Sequence, residues 1–366
     1  MRVLVVNPGS SSLKLSLLDA GNAVVAEENL PAAEGEVERS ALEAFLERAP
    51  DPGACGVRVV HGGREFLSSV RVAGDVLARL EAVADLAPLH NPPALHALRV
   101  LRQVRPSLAL VACFDTAFHA GMPEAAAVYA VPWRWTAEWG IRRYGFHGLS
   151  HSYASRRTAE LLGRDLAELR LVTCHLGAGA SLCAVRGGAS VDTTMGFTPM
   201  EGLVMATRSG SLDPGALLWA QRRARVGPDE VERLLDRESG LLGVSGLSAD
   251  MREVLSASER GHRRARLALE VYLHRLRASV AAMAAALEGI DALVFTGGVG
   301  ERSPAIRSAA CRSLRFLGVA VDEDRNRQLA GDGLVGAAGA EVQVAVVEAR
   351  EDLEIAREVR RLLAQA

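Results

Sequence analysis

Lysine is nearly missing from this chain. Lys14 is the only one among 42 lysine and arginine residues, and the arginines are spread along the whole sequence. With 44 acidic residues the net charge is −2, so no basic stripe exists to recruit nucleic acid or an anionic membrane. An arginine excess of this kind is ordinary in the product of a GC-rich genome. Cysteine is also scarce. Cys55, Cys113, Cys174, Cys183 and Cys311 form no CxxC pair and no His/Cys spacing that suits zinc. Several lie in apolar, strand-like stretches (VACFD, VTCHL), which points to buried thiols in a reducing compartment. No apolar run reaches membrane-spanning length; the longest candidate, AAMAAAL, is short and alanine-rich. The opening residues carry no long apolar region with a small-residue cleavage site, so a cytoplasmic location is expected. What is present is an ordinary globular composition, 49% hydrophobic and 23% charged, in a chain long enough for two domains.

Strands and helices alternate. RVLVV and LKLSLL read as strands around a Gly-Ser turn, and AVVAEE as a third. ERSALEAFLERA has helical spacing. GVRVVHGG is a strand ending in a glycine pair, and residues 75–104 read as two helices broken by an HNPP turn. LALVACFD is a buried strand that delivers Asp115 at its end. The pattern predicts an α/β architecture with mixed sheets. It then restarts. TCHLGAGASLCAVRGGASV aligns turn to turn with VVNPGSSSLKLSLLDAGNAVV, Gly9 over Gly177, which suggests an internal duplication. DALVFTGGVGE reads as a strand and a glycine turn, and the chain closes on a strand, a loop and a helix.

Three glycine-containing turns follow apolar strands: NPGSSS, HLGAGAS and TGGVGE. Turns without bulky side chains can present backbone N–H groups as an anion cradle, and serine hydroxyls add donors. There is no Walker A sequence and no GxGxxG that opens a helix. Three such turns, two of them repeats of each other, favour a nucleotide held between two domains.

VLVVNPGSSSLK, LVTCHLGAGASLCA, GFTPMEGLVMATRSGSLDPG and FTGGVGERSP resemble the acetate kinase family, in the superfamily of acetate and sugar kinases, Hsp70 and actin. VRVVHGG, LAPLHNPPAL, CFDTAFH and RRYGFHGLSH belong to the same likeness, which runs from Met1 to the terminal helix. The resemblance implies a duplicated, ribonuclease H-like fold of two domains with ATP in the cleft between them. An N-terminal domain would span 1–146, with the helix 351–366 packing back on it, and a nucleotide-binding domain would span 147–350. The reaction implied is reversible, direct in-line phosphoryl transfer from ATP to acetate, giving acetyl phosphate and ADP. Mg²⁺, with Mn²⁺ as a substitute, is the implied cofactor, and the family is typically homodimeric.

Acetate is already an anion at neutral pH and needs no general base. A site for it needs positive charge, alignment and an apolar slot, because phosphoryl transfer is mainly positioning plus electrostatics. The resemblance supplies candidates for each need. Arg58 and Arg208 match the arginines at the transferring phosphoryl group, where a planar guanidinium can bind two oxygens at once. His147 matches a histidine that stabilises the transition state, and His90 and His175 match two more near the phosphates. Asp115 matches a catalytic carboxylate, assigned to orientation and metal-bound water. Asn7 and Glu351 would complete the Mg²⁺ surroundings. Val60, Leu89, Phe146 and Pro199 would form the methyl slot. Ser10, Ser12, Lys14, Gly177, Gly179, Gly297, Gly298 and Gly300 would meet the nucleotide phosphates.

The chain departs from the family pattern at Ala178, Ala206, Arg302 and Ala349-Arg350, all on the nucleotide side. Rival readings are a propionate or butyrate kinase, a sugar kinase with Asp115 as base, an ATP-driven binding module, and a non-catalytic nucleotide-binding homologue. The Ala/Leu helix near 265–288 reads as either interface or core.

Overall fold

The structure is a computed structural model and describes residues 1–9, 12–33, 36–37, 39–88 and 90–365. The chain divides into two compact units. One comprises Met1–Ala120, Phe146–Tyr153 and Arg350–Ala366; the other comprises Gly121–Gly145 and Ala154–Ala349. The division differs from a single boundary at residue 146: the segment 121–145 folds with the second unit, and the start of the next helix with the first. A chain that passes between the units four times leaves no linker signature in its composition. The terminal helix Glu351–Ala364 packs on strands of the first unit.

Among the described residues, thirteen strands build two sheets. In the first unit they are β1 (Val3–Pro8), β2 (Ser12–Leu18), β3 (Val24–Ala33), β4 (Glu36–Val37), β5 (Ala54–Val59), β6 (Val70–Arg71) and β7 (Ala109–Phe114). Their order is β4-β3-β2-β1-β5-β7-β6. The second unit has β8 (Arg170–Leu176), β9 (Ala180–Arg186), β10 (Ala189–Thr193), β11 (Ala292–Thr296), β12 (Gly333–Leu334) and β13 (Gln343–Val346), in the order β10-β9-β8-β11-β13-β12. Each sheet has an antiparallel three-strand meander, then two parallel strands, then a short antiparallel edge. With the two-residue edge strand β4 set aside, the two topologies correspond strand for strand, which supports the duplication. The shared arrangement is the ribonuclease H-like one.

The sequence of β1 explains its place. Side chains alternate faces along a strand. Leu4 and Val6 enter one core with Leu98 and Leu101 of the helix Asn91–Val104; Val3 and Val5 enter another with Ile355 and Val359 of the terminal helix. A strand covered on both faces must read as a continuous apolar run, which is what VLVV is.

Two local expectations are corrected. The HNPP stretch is not a turn between helices. The chain breaks before it, and Pro92 and Pro93 sit in the first helical turn of Asn91–Val104, where a missing N–H removes no bond. TGGVGE is not a turn either: Gly297–Arg302 is a short helix. Gly297 has φ +76°, and a Cβ there would lie 2.9 Å from the Leu176 backbone, so only glycine fits where this helix meets the end of β8. The helix Arg263–Ala286 buries Leu269, Tyr272, Leu276, Val280 and Met283, and packs on β9 and on the helices Gly240–Ser245 and Met251–Glu259. It is therefore core. All five cysteines are buried and free. Among the described residues, no helix is long and apolar enough to cross a membrane.

Candidate active site

In the first unit the parallel strands β1, β5 and β7 lie side by side, and the polar residues gather at their C-terminal ends, the usual ligand edge of such a sheet. Arg58, near the end of β5, makes a two-pronged ion pair with Asp115, which directly follows β7. Nε lies 3.0 and 3.2 Å from the two carboxylate oxygens, and Nη2 lies 2.6 Å from Oδ2. The other guanidinium nitrogen donates to Asn7 Oδ1 at 3.1 Å and lies 3.1 Å from Glu351 Oε2. Asn7 Nδ2 donates to the same Glu351 oxygen at 3.0 Å. Asn7 lies next to the end of β1, and Glu351 opens the terminal helix, which brings it to the cluster from the far end of the chain. Asp115 is only 1% exposed, against 17% for the Arg58 side chain. Burial pushes the Asp115 carboxyl above the ordinary carboxylate range, against the opposing pull of Arg58 and of the His147 N–H. For Arg58 burial works against the charge, but Asp115 and Glu351 outweigh it and raise its pKa.

Asp115 also fixes the next segment. Its carboxylate accepts the His147 N–H, and its carbonyl accepts the Gly148 N–H at 3.0 Å. His147 is held at φ +55°, a conformation that disfavours any residue with a Cβ and marks a site determined by its surroundings. A Cβ on Gly148 would lie 2.1 Å from the Asp115 carbonyl oxygen and 2.7 Å from Phe118 Cβ. Gly148→Ala should therefore displace Asp115, lowering kcat at least tenfold and stability by about 1–3 kcal/mol. Steady-state kinetics beside a thermal melt checks this; a folded variant with unchanged kcat would contradict it.

Several supports were not legible in the sequence. Buried Asn91 clamps the backbone of His61, accepting its N–H and donating to its carbonyl, both at 3.0 Å. Thr116 Oγ1 accepts the Gly62 N–H at 3.1 Å. Together they pin the VVHGG segment beyond Arg58, including half-buried Val60. His90 is the N-cap residue of the helix that contains Asn91. Phe146 is buried, with its ring edge-on to His61 at 5.4 Å. Lys14 is exposed and stands opposite Asn7 in the β1–β2 register. It borders an open cavity with Arg350 and Asp352, and Arg350 pairs with Asp352 at 2.9 Å. Ser12 is half-buried at the start of β2. Ser10 and Leu89 lie outside the described residues.

In the second unit His175, Gly177 and Gly179 occupy the tip of the β8–β9 hairpin, where Gly177 N–H bonds Gly179 O at 2.9 Å. Gly9 N–H bonds Ser12 O at 2.7 Å in the corresponding first-unit hairpin. Ala178 and Ala206, both departures from the family pattern, meet: Ala206 N–H donates to Ala178 O at 3.1 Å, tying the hairpin to the Arg208 segment. The helix carrying Gly297, Gly298 and Gly300 is held by Arg307, which is 1% exposed. Arg307 donates to the carbonyls of Gly300 and Glu301 at 2.8 and 2.6 Å and to Asn326. A buried cation on the last carbonyls of a helix complements its dipole. Arg208 pairs with Asp236 at 2.6 Å and lies 3.4 Å from the Pro199 carbonyl. The loop with Pro199 is anchored by Glu201, which accepts from Tyr129 and from Arg143, the latter at 2.9 Å.

The chain is similar to known proteins along most of its length. The sequence model of the Acetokinase family matches residues 40–357. An acetate kinase from Synechococcus sp. is 52% identical over 319 residues, 87% of this chain and 79% of the relative. A propionate kinase from Citrobacter rodentium is 45% identical, over 99% of this chain and 96% of its own length. The crystal structure of Porphyromonas gingivalis acetate kinase superposes with a TM-score of 0.92 at 36% identity, covering 99% of both chains. A chain matched over most of its length by the family's sequence, and over nearly all of it by the family's structure, belongs to the acetokinase family.

Proposed function

We propose that this chain is an acetate kinase, transferring the terminal phosphoryl group of ATP to acetate directly and reversibly. The observation that carries the reading is the buried Arg58–Asp115 pair with Asn7 at the ends of three parallel strands, joined by Glu351 of the terminal helix. Both Asp115 oxygens are engaged by Arg58. Asp115 therefore serves to orient, aiming the guanidinium through its carboxylate and His147 through the backbone. That suits an acceptor that arrives ionised, and it disfavours the sugar-kinase reading, which needs Asp115 as a base to a hydroxyl.

Arg58 would bring its charge to the transferring group while Asp115 and Asn7 hold its plane. Arg208, steadied by Asp236, would add the second guanidinium, and His147 would hydrogen-bond the developing charge. Asn7 and Glu351 offer an amide and a carboxylate oxygen, a donor set that fits Mg²⁺, a hard cation that takes few protein ligands. Bound there with ATP, the ion would neutralise phosphate charge. The Gly9–Ser12 and Gly177–Gly179 hairpin tips, Lys14, His90, His175 and the Gly297–Gly300 segment are the proposed phosphate contacts. Val60, Leu89, Phe146 and Pro199 are the proposed methyl slot. We infer a homodimer as well. The helix Pro214–Ala224, which has no buried residue and exposes Leu218 and Trp219, supports that assembly.

The second reading is a propionate kinase, favoured by the Citrobacter relative. ADP release measured with acetate, propionate, butyrate and glucose separates the two. An apolar slot discriminates by about 1–3 kcal/mol per methylene, so kcat/KM for acetate should exceed that for propionate by about 10- to 100-fold, with glucose inert. A preference for propionate would move the assignment to the second reading.

A further inference from the structure

Two consecutive peptide groups, Phe146–His147 and His147–Gly148, are held by the residues that follow β7. Asp115 takes the N–H groups of His147 and Gly148. The Phe146 carbonyl is taken by His119, whose Nε2 lies 3.0 Å away. A carbonyl oxygen can only accept, so this contact assigns the ring proton to Nε2. His119 is 1% exposed, and its ring lies edge-on to that of buried His151 at 5.8 Å. The Phe146 ring in turn packs edge-on against His61, at 5.4 Å and 72°. Phe146 is thus fixed at two points, its ring by His61 and its backbone by His119. Without the second, a buried carbonyl loses its donor; Asp115 still holds the N–H of the same peptide, so the peptide tilts about that anchor and shifts the ring.

We propose that His119 is a specificity-determining positioning residue: its Nε2–H fixes the Phe146 backbone, and so sets the wall that measures the length of the acyl chain. This rests on the reading of Phe146 as part of the acyl slot. The contact lies in the buried interior of one unit and touches no substrate itself, so its effect should appear in discrimination between acids.

The test is the ratio of kcat/KM for acetate to that for propionate in the purified enzyme, which does not depend on the fraction of active molecules. His119→Leu fills most of the ring's space without a donor, whereas His119→Gln places an amide N–H near the Nε2 position. His119→Leu should lower the ratio about tenfold, with kcat/KM for ATP little changed, and His119→Gln should restore it to within about twofold. Phe146→Ala serves as the reference for the slot. Should His119→Leu not fold, His119→Asn, whose shorter amide stops short of the carbonyl, takes its place. A wild-type ratio in the donor-less variant, while Phe146→Ala alters the ratio, overturns the role of His119 alone. A Gln variant as defective as Leu overturns it too. If Phe146→Ala also leaves the ratio unchanged, the slot assignment falls and the proposal with it.

Discussion

Arg208→Ala should lower kcat by about 10³ while leaving the fold nearly intact. The magnitude follows from the general role of a second guanidinium on a transferring phosphoryl group, where its removal loses stabilisation found only in the transition state. The structure adds the reason stability should survive. Arg208 and Asp236 are 18% and 16% exposed, so water can reach the partner left behind. The segment itself is anchored by backbone: Thr207 Oγ1 donates to the Asp236 carbonyl at 2.7 Å, and Ser209 N–H to Leu235 O at 3.1 Å. Stopped-flow or steady-state rates with both substrates saturating, beside a thermal melt, give the two readouts. A loss below tenfold would remove Arg208 from the reaction.

Arg58→Ala should be severe in both respects. Its partner Asp115 is 1% exposed, and removing the guanidinium strands a carboxylate in the interior, at about 3–5 kcal/mol for breaking a buried pair from one side. Asn7 and Glu351 lose their shared donor in the same step. The pH dependence has a definite sign. Burial already raises the Asp115 pKa, and without Arg58 it must rise further. A carboxyl whose folded pKa lies above its unfolded value holds its proton more tightly in the native state, so stability falls as pH rises through that value. The deficit of Arg58→Ala relative to wild type should therefore be smaller at pH 5 than at pH 8, by urea or thermal unfolding at each pH. Arg58→Lys keeps charge without the fork, and should recover more stability than rate. A deficit independent of pH would mean that Asp115 finds another partner.

How much of this was legible in sequence depends on distance along the chain. The hairpins at NPGSSS and HLGAGAS were readable because glycine, alternation and turn spacing are local signals, and their repetition exposed the duplication. Arg58 and Asp115 are 57 positions apart, yet both stood out because each ends an apolar strand in a recognised motif. The supports were silent. Asn91, His119 and Arg307 act on backbone groups, and a carbonyl taken from afar leaves no mark on the residue that offers it. The helix at Gly297–Arg302 was misread because glycine is a poor helix former. Its stability comes instead from Arg307 on its last carbonyls and from its fit against β8. The grouping of residues 121–145 with the second unit left no local signal for a related reason. Tyr129 and Arg143 bind Glu201 of the second unit, a contact visible only once the chain is folded.

The most direct test of the account is to incubate the enzyme with ATP, Mg²⁺ and acetate in the presence of hydroxylamine and count products. Direct transfer to the carboxylate predicts one acetyl hydroxamate for each ADP released, and almost no ADP when acetate is omitted. ADP released without hydroxamate, at a rate indifferent to acetate, would contradict it.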